Sequence, residues 1–139
     1  MKTSKSLKAL AVVFFLSGIW DIVGGMVYSF FLSPFFTAIP LHRFYALFIG
    51  SFFLCFAYLQ ILSSFNIRRY LFLVGCVFIG RILYIILLYA YILGIPGFPK
   101  DFWITGVVDL IWSILYIVIA LTSKDIGLKD LFLPKWRES

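Results

Sequence analysis

Three ionisable residues stand inside long apolar runs of this sequence: Asp21, Arg81 and Asp109. An Asp or Arg at the centre of a membrane helix costs roughly 2.5–3.5 kcal/mol on insertion scales, so each of the three is expected to find a partner inside the protein. Two carboxylates and one guanidinium can satisfy one another through charge-assisted hydrogen bonds, yet they leave one negative charge over. That surplus points to two kinds of chemistry. In the structural one, Arg81 neutralises the aspartates and pins the helices in one register. In the functional one, a proton or a cationic partner completes the group, as in a proton-coupled site or a pocket for the polar head of a lipid or small molecule.

The neighbours of the two acids repeat. Gly18, Asp21, Gly25 and Tyr28 fall at the 3-4-3 spacing of one helical stripe, and Gly106, Asp109, Ser113 and Tyr116 fall at the same spacing later in the chain. Both read G-x-x-D-x-x-x-small-x-x-Y. The small residues are expected to form packing seams, with the acids and phenols facing the interior. Arg43 to Gly50 and Arg68 to Gly75 share a weaker R-x6-G spacing, which fits either internal repetition or coincidence. Tyr84, one turn after Arg81, and Tyr58 add hydroxyl donors for carboxylate lone pairs that Arg81 leaves free.

Competing chemistry is scarce. Cys55 and Cys76 lie in apolar runs without the spacing of a metal knuckle or a redox CxxC, so packed, buried thiols are expected rather than a disulfide. His42 is solitary, at the start of an apolar run, and nothing in the chain completes a metal site around it. No catalytic group, metal or cofactor is expected, and the chain reads as a non-enzyme.

Four elements have to position these residues. The chain has 139 residues, of which 63% are hydrophobic and 13% charged, far below the roughly 25% charge usual in soluble domains. A water-soluble fold of this size could not hide so many Phe, Leu and Ile side chains. Apolar runs at about 9–32, 44–63, 70–93 and 102–122 each approach the roughly 20 residues that span a bilayer core. Breakers separate them: Ser33-Pro34 through Pro40, Ser63-Ser64-Phe65-Asn66, and Gly94-Ile95-Pro96-Gly97-Phe98-Pro99. The first run continues past Ser17-Gly18 with no A-x-A-like site after it, so it reads as a span and not as a cleaved signal. Short connections predict that consecutive helices pack as antiparallel neighbours, giving one all-α, four-helix bundle over residues 1–139.

The basic residues orient the bundle. Lys2, Lys5, Lys8, Arg68, Arg69, Lys124, Lys129, Lys135 and Arg137 fall on one side, against Arg43 and Lys100 on the other. This asymmetry places both termini in the cytoplasm, and because these cations flank apolar runs it argues against nucleic acid as the partner of the net charge of +6. Residues 123–139 mix Ile126, Leu128, Leu131, Phe132, Leu133 and Trp136 with basic residues, as expected of a cytoplasmic tail lying on the inner headgroup layer. With about 1.5 Å of rise per residue, Asp21 lies at about 18 Å from the cytoplasmic end of its span, Arg81 at about 16 Å and Asp109 at about 20 Å. The three are thus expected on one level, on helices that adjoin in a four-helix bundle.

The run Ser17-Gly18-Ile19-Trp20-Asp21-Ile22-Val23-Gly24-Gly25, the turn Asn66-x-Arg68-Arg69, Gly80-Arg81 and Val108-Asp109-Leu110 together resemble the layout of small bacterial four-helix membrane proteins of the DoxX-like and BphX-like groups. The resemblance implies a multi-pass protein of the bacterial inner membrane and assigns no active residue. The expected function is binding of a lipid, a small hydrophobic ligand or a membrane partner around the Asp–Arg–Asp cluster. The alternative is a small proton-coupled transporter or channel, with a second copy of the chain as its partner.

Overall fold

The computed structural model describes residues 4–31 and 43–134, apart from the side chain of Arg43. His42, the 33–40 connection, Lys2, Lys135, Trp136 and Arg137 lie outside the described residues. Every described element is helical. α1 runs Lys5–Met26 and continues into a π turn at Val27–Phe31; its start is capped by Ser4, whose hydroxyl oxygen accepts the Leu7 N–H at 3.2 Å. Such a cap contributes about 1 kcal/mol. α2 is Arg43–Ser64 and α3 is Leu71–Gly94. Between them a tight turn is closed by the carbonyl of Asn66, which accepts from Arg69 N at 3.0 Å and Tyr70 N at 3.3 Å. After α3 the chain reverses at Gly97, whose φ of 81° is a left-handed conformation suited to glycine. A 3-10 turn, Lys100–Phe102, leads into α4, Trp103–Thr122, and a one-turn helix α5, Leu128–Phe132, follows. Four of these helices are long and apolar enough to cross a membrane.

The helices pack as two pairs. α1 lies closely along α2, α3 along α4, and the pairs join where α1 meets α4. Glycines explain the closeness. A Cβ on Gly25 would come within 3.0 Å of the Gly50 carbonyl oxygen, and one on Gly50 within 2.9 Å of the Gly25 carbonyl oxygen, so the two backbones touch there. Gly18 is equally tight against Ala57, Gln60 and Ile61, while Gly106 seats the Tyr89 and Leu88 side chains of α3. The small-residue seams thus lie within the pairs, α1 on α2 and α4 on α3. Contact between α1 and α4 uses larger side chains, including an edge-on Phe14–Tyr116 contact with ring centroids 5.8 Å apart.

The expectation that consecutive helices pack side by side fails at one place. α2 and α3, though joined by a tight turn, scarcely touch along their length. Each is drawn toward the partner that offers it a glycine seam, which leaves a gap between them. The exterior is apolar as well: Val12, Leu16, Leu83, Ile86, Val118 and Leu121 all point outward. Cys55 and Cys76 are also exposed, which corrects the expectation of buried thiols. In a bundle whose outer face is as greasy as its core, apolar character does not distinguish inside from outside. Tyr58, 64% exposed, is likewise an outward residue and no donor to the cluster.

One end of the bundle holds the main apolar core, built from Leu7, Leu10 and Phe14 of α1, Ile67 of the α2–α3 turn, Leu71 and Val74 of α3, and Tyr116 and Ala120 of α4. Ile126 and Leu131 of the tail are buried in that same core. The tail therefore caps the bundle with part of its apolar surface, while Leu128, Phe132 and Leu133 stay exposed. Gly75 makes this docking possible, because the Leu131 carbonyl occupies the space a Cβ would need. Gly75→Leu is expected to displace α5, at a cost of roughly 1–3 kcal/mol for the overpacked site. Tryptic cleavage at Lys129 in the detergent-solubilised protein should then accelerate by about fivefold or more. Unchanged cleavage would contradict this packing.

Candidate functional site

Ser17 and Asp21 are four residues apart on α1 and so share one face, as Asp109, Ser113 and Tyr116 do on α4. These faces meet Gln60 of α2 and Arg81 of α3 in one buried polar network. Arg81 Nη2 donates to both oxygens of Asp21, at 3.1 Å to Oδ1 and 3.0 Å to Oδ2, while Nη1 donates to Asp109 Oδ1. Gln60 Nε2 donates to Asp21 Oδ2, and Gln60 Oε1 accepts from Ser17 Oγ at 2.6 Å. Tyr116 donates its hydroxyl proton to Ser17 Oγ. The order of side chains is therefore Tyr116, Ser17, Gln60, Asp21, Arg81, Asp109, and every long helix contributes to it.

Direction is fixed by the donor inventory. Arg81 can only donate, and Asp21 accepts from both Arg81 and Gln60, so the Gln60 amide must present its nitrogen to the carboxylate and its oxygen to Ser17. The reversed amide would set oxygen against oxygen at Asp21. Side-chain exposure is 6% for Arg81, 5% for Asp21 and 14% for Asp109, so Asp109 is the less enclosed acid. Ser113, also buried, donates to the Asp109 carbonyl at 2.8 Å and not to its carboxylate. Among the described residues Asp109 Oδ2 has no hydrogen-bond donor, and Arg81 Nε is buried without an acceptor.

The network is the floor of a cavity of about 360 Å³ between α2 and α3. Its walls are Phe48, Phe52 and Phe56 on the α2 side and Val77, Gly80 and Tyr84 on the α3 side; Asp21, Gln60, Arg81 and Asp109 supply the polar end. The Phe48 and Phe52 rings meet edge to face with centroids 4.9 Å apart, continuing a line of rings at every fourth residue of α2. The gap left by the glycine seams is thus an apolar slot with a charged end. A site of this shape can hold an apolar body by its walls and orient it by a polar tip.

Asp21, Arg81 and Asp109 come together as the depth count expected. The phenols do not gather there. Tyr84 exchanges a hydrogen bond with Thr105 Oγ1 at 2.7 Å and lines the cavity, and Tyr28 stacks between Phe53 and Phe102, at 5.6 and 6.3 Å. Among the described phenols Tyr116 alone joins the network, three hydrogen bonds from Asp21 by way of Ser17 and Gln60. Gln60 and Ser17 were not anticipated as site residues. A signal for Gln60 existed: it is the one glutamine in the chain, set in an apolar run, where a primary amide needs partners. Among the described residues no group of His, Cys, Asp and Glu is placed to hold a metal ion.

Comparison with protein-family models, with curated proteins and with solved structures finds no match to this chain. The site's own geometry is therefore what bears on function. Its energetic hierarchy is open to measurement. Gln60→Leu deprives Asp21 of a donor and Ser17 of an acceptor, an expected loss of roughly 1–3 kcal/mol. Arg81→Met strands two carboxylates together and should cost more, roughly 3–5 kcal/mol. Equilibrium unfolding of both variants in mixed micelles would check the order, and a milder effect at Arg81 than at Gln60 would contradict the network as described.

Proposed function

We propose that this chain is an integral membrane protein of the bacterial inner membrane that binds a lipid or another small hydrophobic molecule in the slot between α2 and α3. The observation that carries the reading is the slot itself: aromatic walls that end on a buried Asp–Arg–Asp cluster. The apolar exterior supports insertion, since outward Leu, Ile, Val and Phe side chains need a hydrocarbon solvent. The first turns of α1 and α3, the α2–α3 turn and the last turns of α4 share one core, which supports an antiparallel arrangement. The basic residues favour cytoplasmic exposure of that end. Binding is favoured over transport because the packed core of Leu10, Phe14, Val74 and Ala120 lies between the cluster and that end of the bundle.

Gly80 gives a clean test of occupancy. It lines the slot, and a Cβ added there meets nothing within 4 Å, so Gly80→Trp should fill the space without disturbing the helix contacts. Mass spectrometry of the organic extract of protein purified from its own membrane is expected to find a molecule retained by the wild type and reduced about tenfold or more in Gly80→Trp. Equal retention would place any bound molecule elsewhere. Topology is checked separately: a fluorescent-protein fusion at residue 139 should fluoresce and an alkaline phosphatase fusion at the same position should be inactive. The opposite pair of results would invert the orientation.

A further inference from the structure

The unsatisfied atoms at the slot's floor constrain what binds there, and this deepens the reading above and rests on it. The guanidinium of Arg81 spends both Nη groups on the two aspartates. An anionic head would meet no free Nη there, and it would approach a floor that already carries one negative charge in excess. A neutral head would leave that excess to be removed by a proton on one carboxylate, whereas a cationic head cancels it directly. Asp109 is the acid with spare capacity, being less enclosed than Asp21 and, among the described residues, accepting at Oδ1 alone. Arg81 Nε, in a side chain 6% exposed, is a donor without an acceptor among the described residues, a need that an ammonium, itself donor-only, does not meet.

We infer that the occupant is an amphipathic amine whose ammonium group sits against Asp109 and whose apolar body lies along Phe48, Phe52 and Phe56. Charge complementarity selects the head. An ammonium donates to the open carboxylate oxygen and cancels the surplus charge. Shape selects the body: the apolar walls match a hydrocarbon or aromatic chain. Two sources supply an ammonium group: a free amphiphilic amine, which cancels the surplus charge, and the head of an aminophospholipid, whose phosphate brings a negative charge of its own.

The test uses the full chain in phosphatidylcholine nanodiscs, with empty nanodiscs to subtract partition into lipid. Three probes share a phenylalkyl body of the same carbon count and differ at its end: 4-phenylbutylammonium, 4-phenylbutanol and 4-phenylbutyrate. Equilibrium dialysis is expected to give saturable binding of the ammonium, about tenfold or more tighter than either companion, a difference worth about 1.4 kcal/mol. Asp109→Asn should abolish that preference, and Gly80→Trp should abolish the binding while leaving Asp109 intact. Equal affinity for alcohol or butyrate would overturn the amine and leave the hydrophobic site standing. Saturable binding of none of the three would overturn both. An ammonium preference that survives Asp109→Asn would overturn the placement of the head, even if Asp109→Asn reduced stability. Repeating the titration with phosphatidylethanolamine in the nanodiscs distinguishes the sources: competition supports the aminolipid, and its absence supports the free amine.

Discussion

An arginine in an apolar interior stays charged, so the helices around Arg81 have to bring it acceptors, and most of this architecture follows from that demand. Asp21 and Asp109 answer it from α1 and α4, which sets the axial register of three helices at one level. A slip of one turn, about 5.4 Å, would strand all three charges. Packing of apolar side chains alone would not enforce this, because an exterior as apolar as the core offers Leu and Phe other positions.

α2 joins by another route. Its backbone is held to α1 at the Gly25–Gly50 contact, and among the described residues its polar link to the cluster is Gln60, which bridges Ser17 and Asp21. Because the seams draw α2 to α1 and α3 to α4, the space between α2 and α3 stays open beside the charges. The same seams that stabilise each pair thus create the slot, and the same ion pairs that fix register give that slot a polar end. The slot's polar end and the bundle's stability share residues, so loss of Arg81 would disturb both, whereas Asp109 and Gly80 allow the slot to be altered more selectively.

Much of this was legible in the chain and some was not, for physical reasons. Charges inside apolar runs are rare and costly, so Asp21, Arg81 and Asp109 declared themselves, and helix rise sufficed to set them level. Gln60 was missed because, counted from Ser63, it looks shallow, while its contact with Gly18 shows that α2 meets α1 deeper than that boundary implied. Spacing placed Gly18, Gly25 and Gly106 on buried faces but could not say which helix each face would meet. Cys55 and Cys76 misled because apolar surroundings in a sequence do not separate core from exterior in such a bundle. Tyr84 turned instead to Thr105, a local partner reached across the α3–α4 pair. The composition of the tail suggested a surface anchor, and the space left by Gly75 drew Leu131 into the core.

The central claim is that Asp21 and Arg81 act as one unit at the centre of the bundle. A double-mutant cycle with Asp21→Asn, Arg81→Gln and the double variant, read by equilibrium unfolding in mixed micelles, tests it most directly. The geometry requires strong non-additivity, with a coupling energy of about 1 kcal/mol or more. Effects that add to within roughly 0.5 kcal/mol would mean the two residues do not meet, and the register, the network and the slot's polar floor would fall with that result.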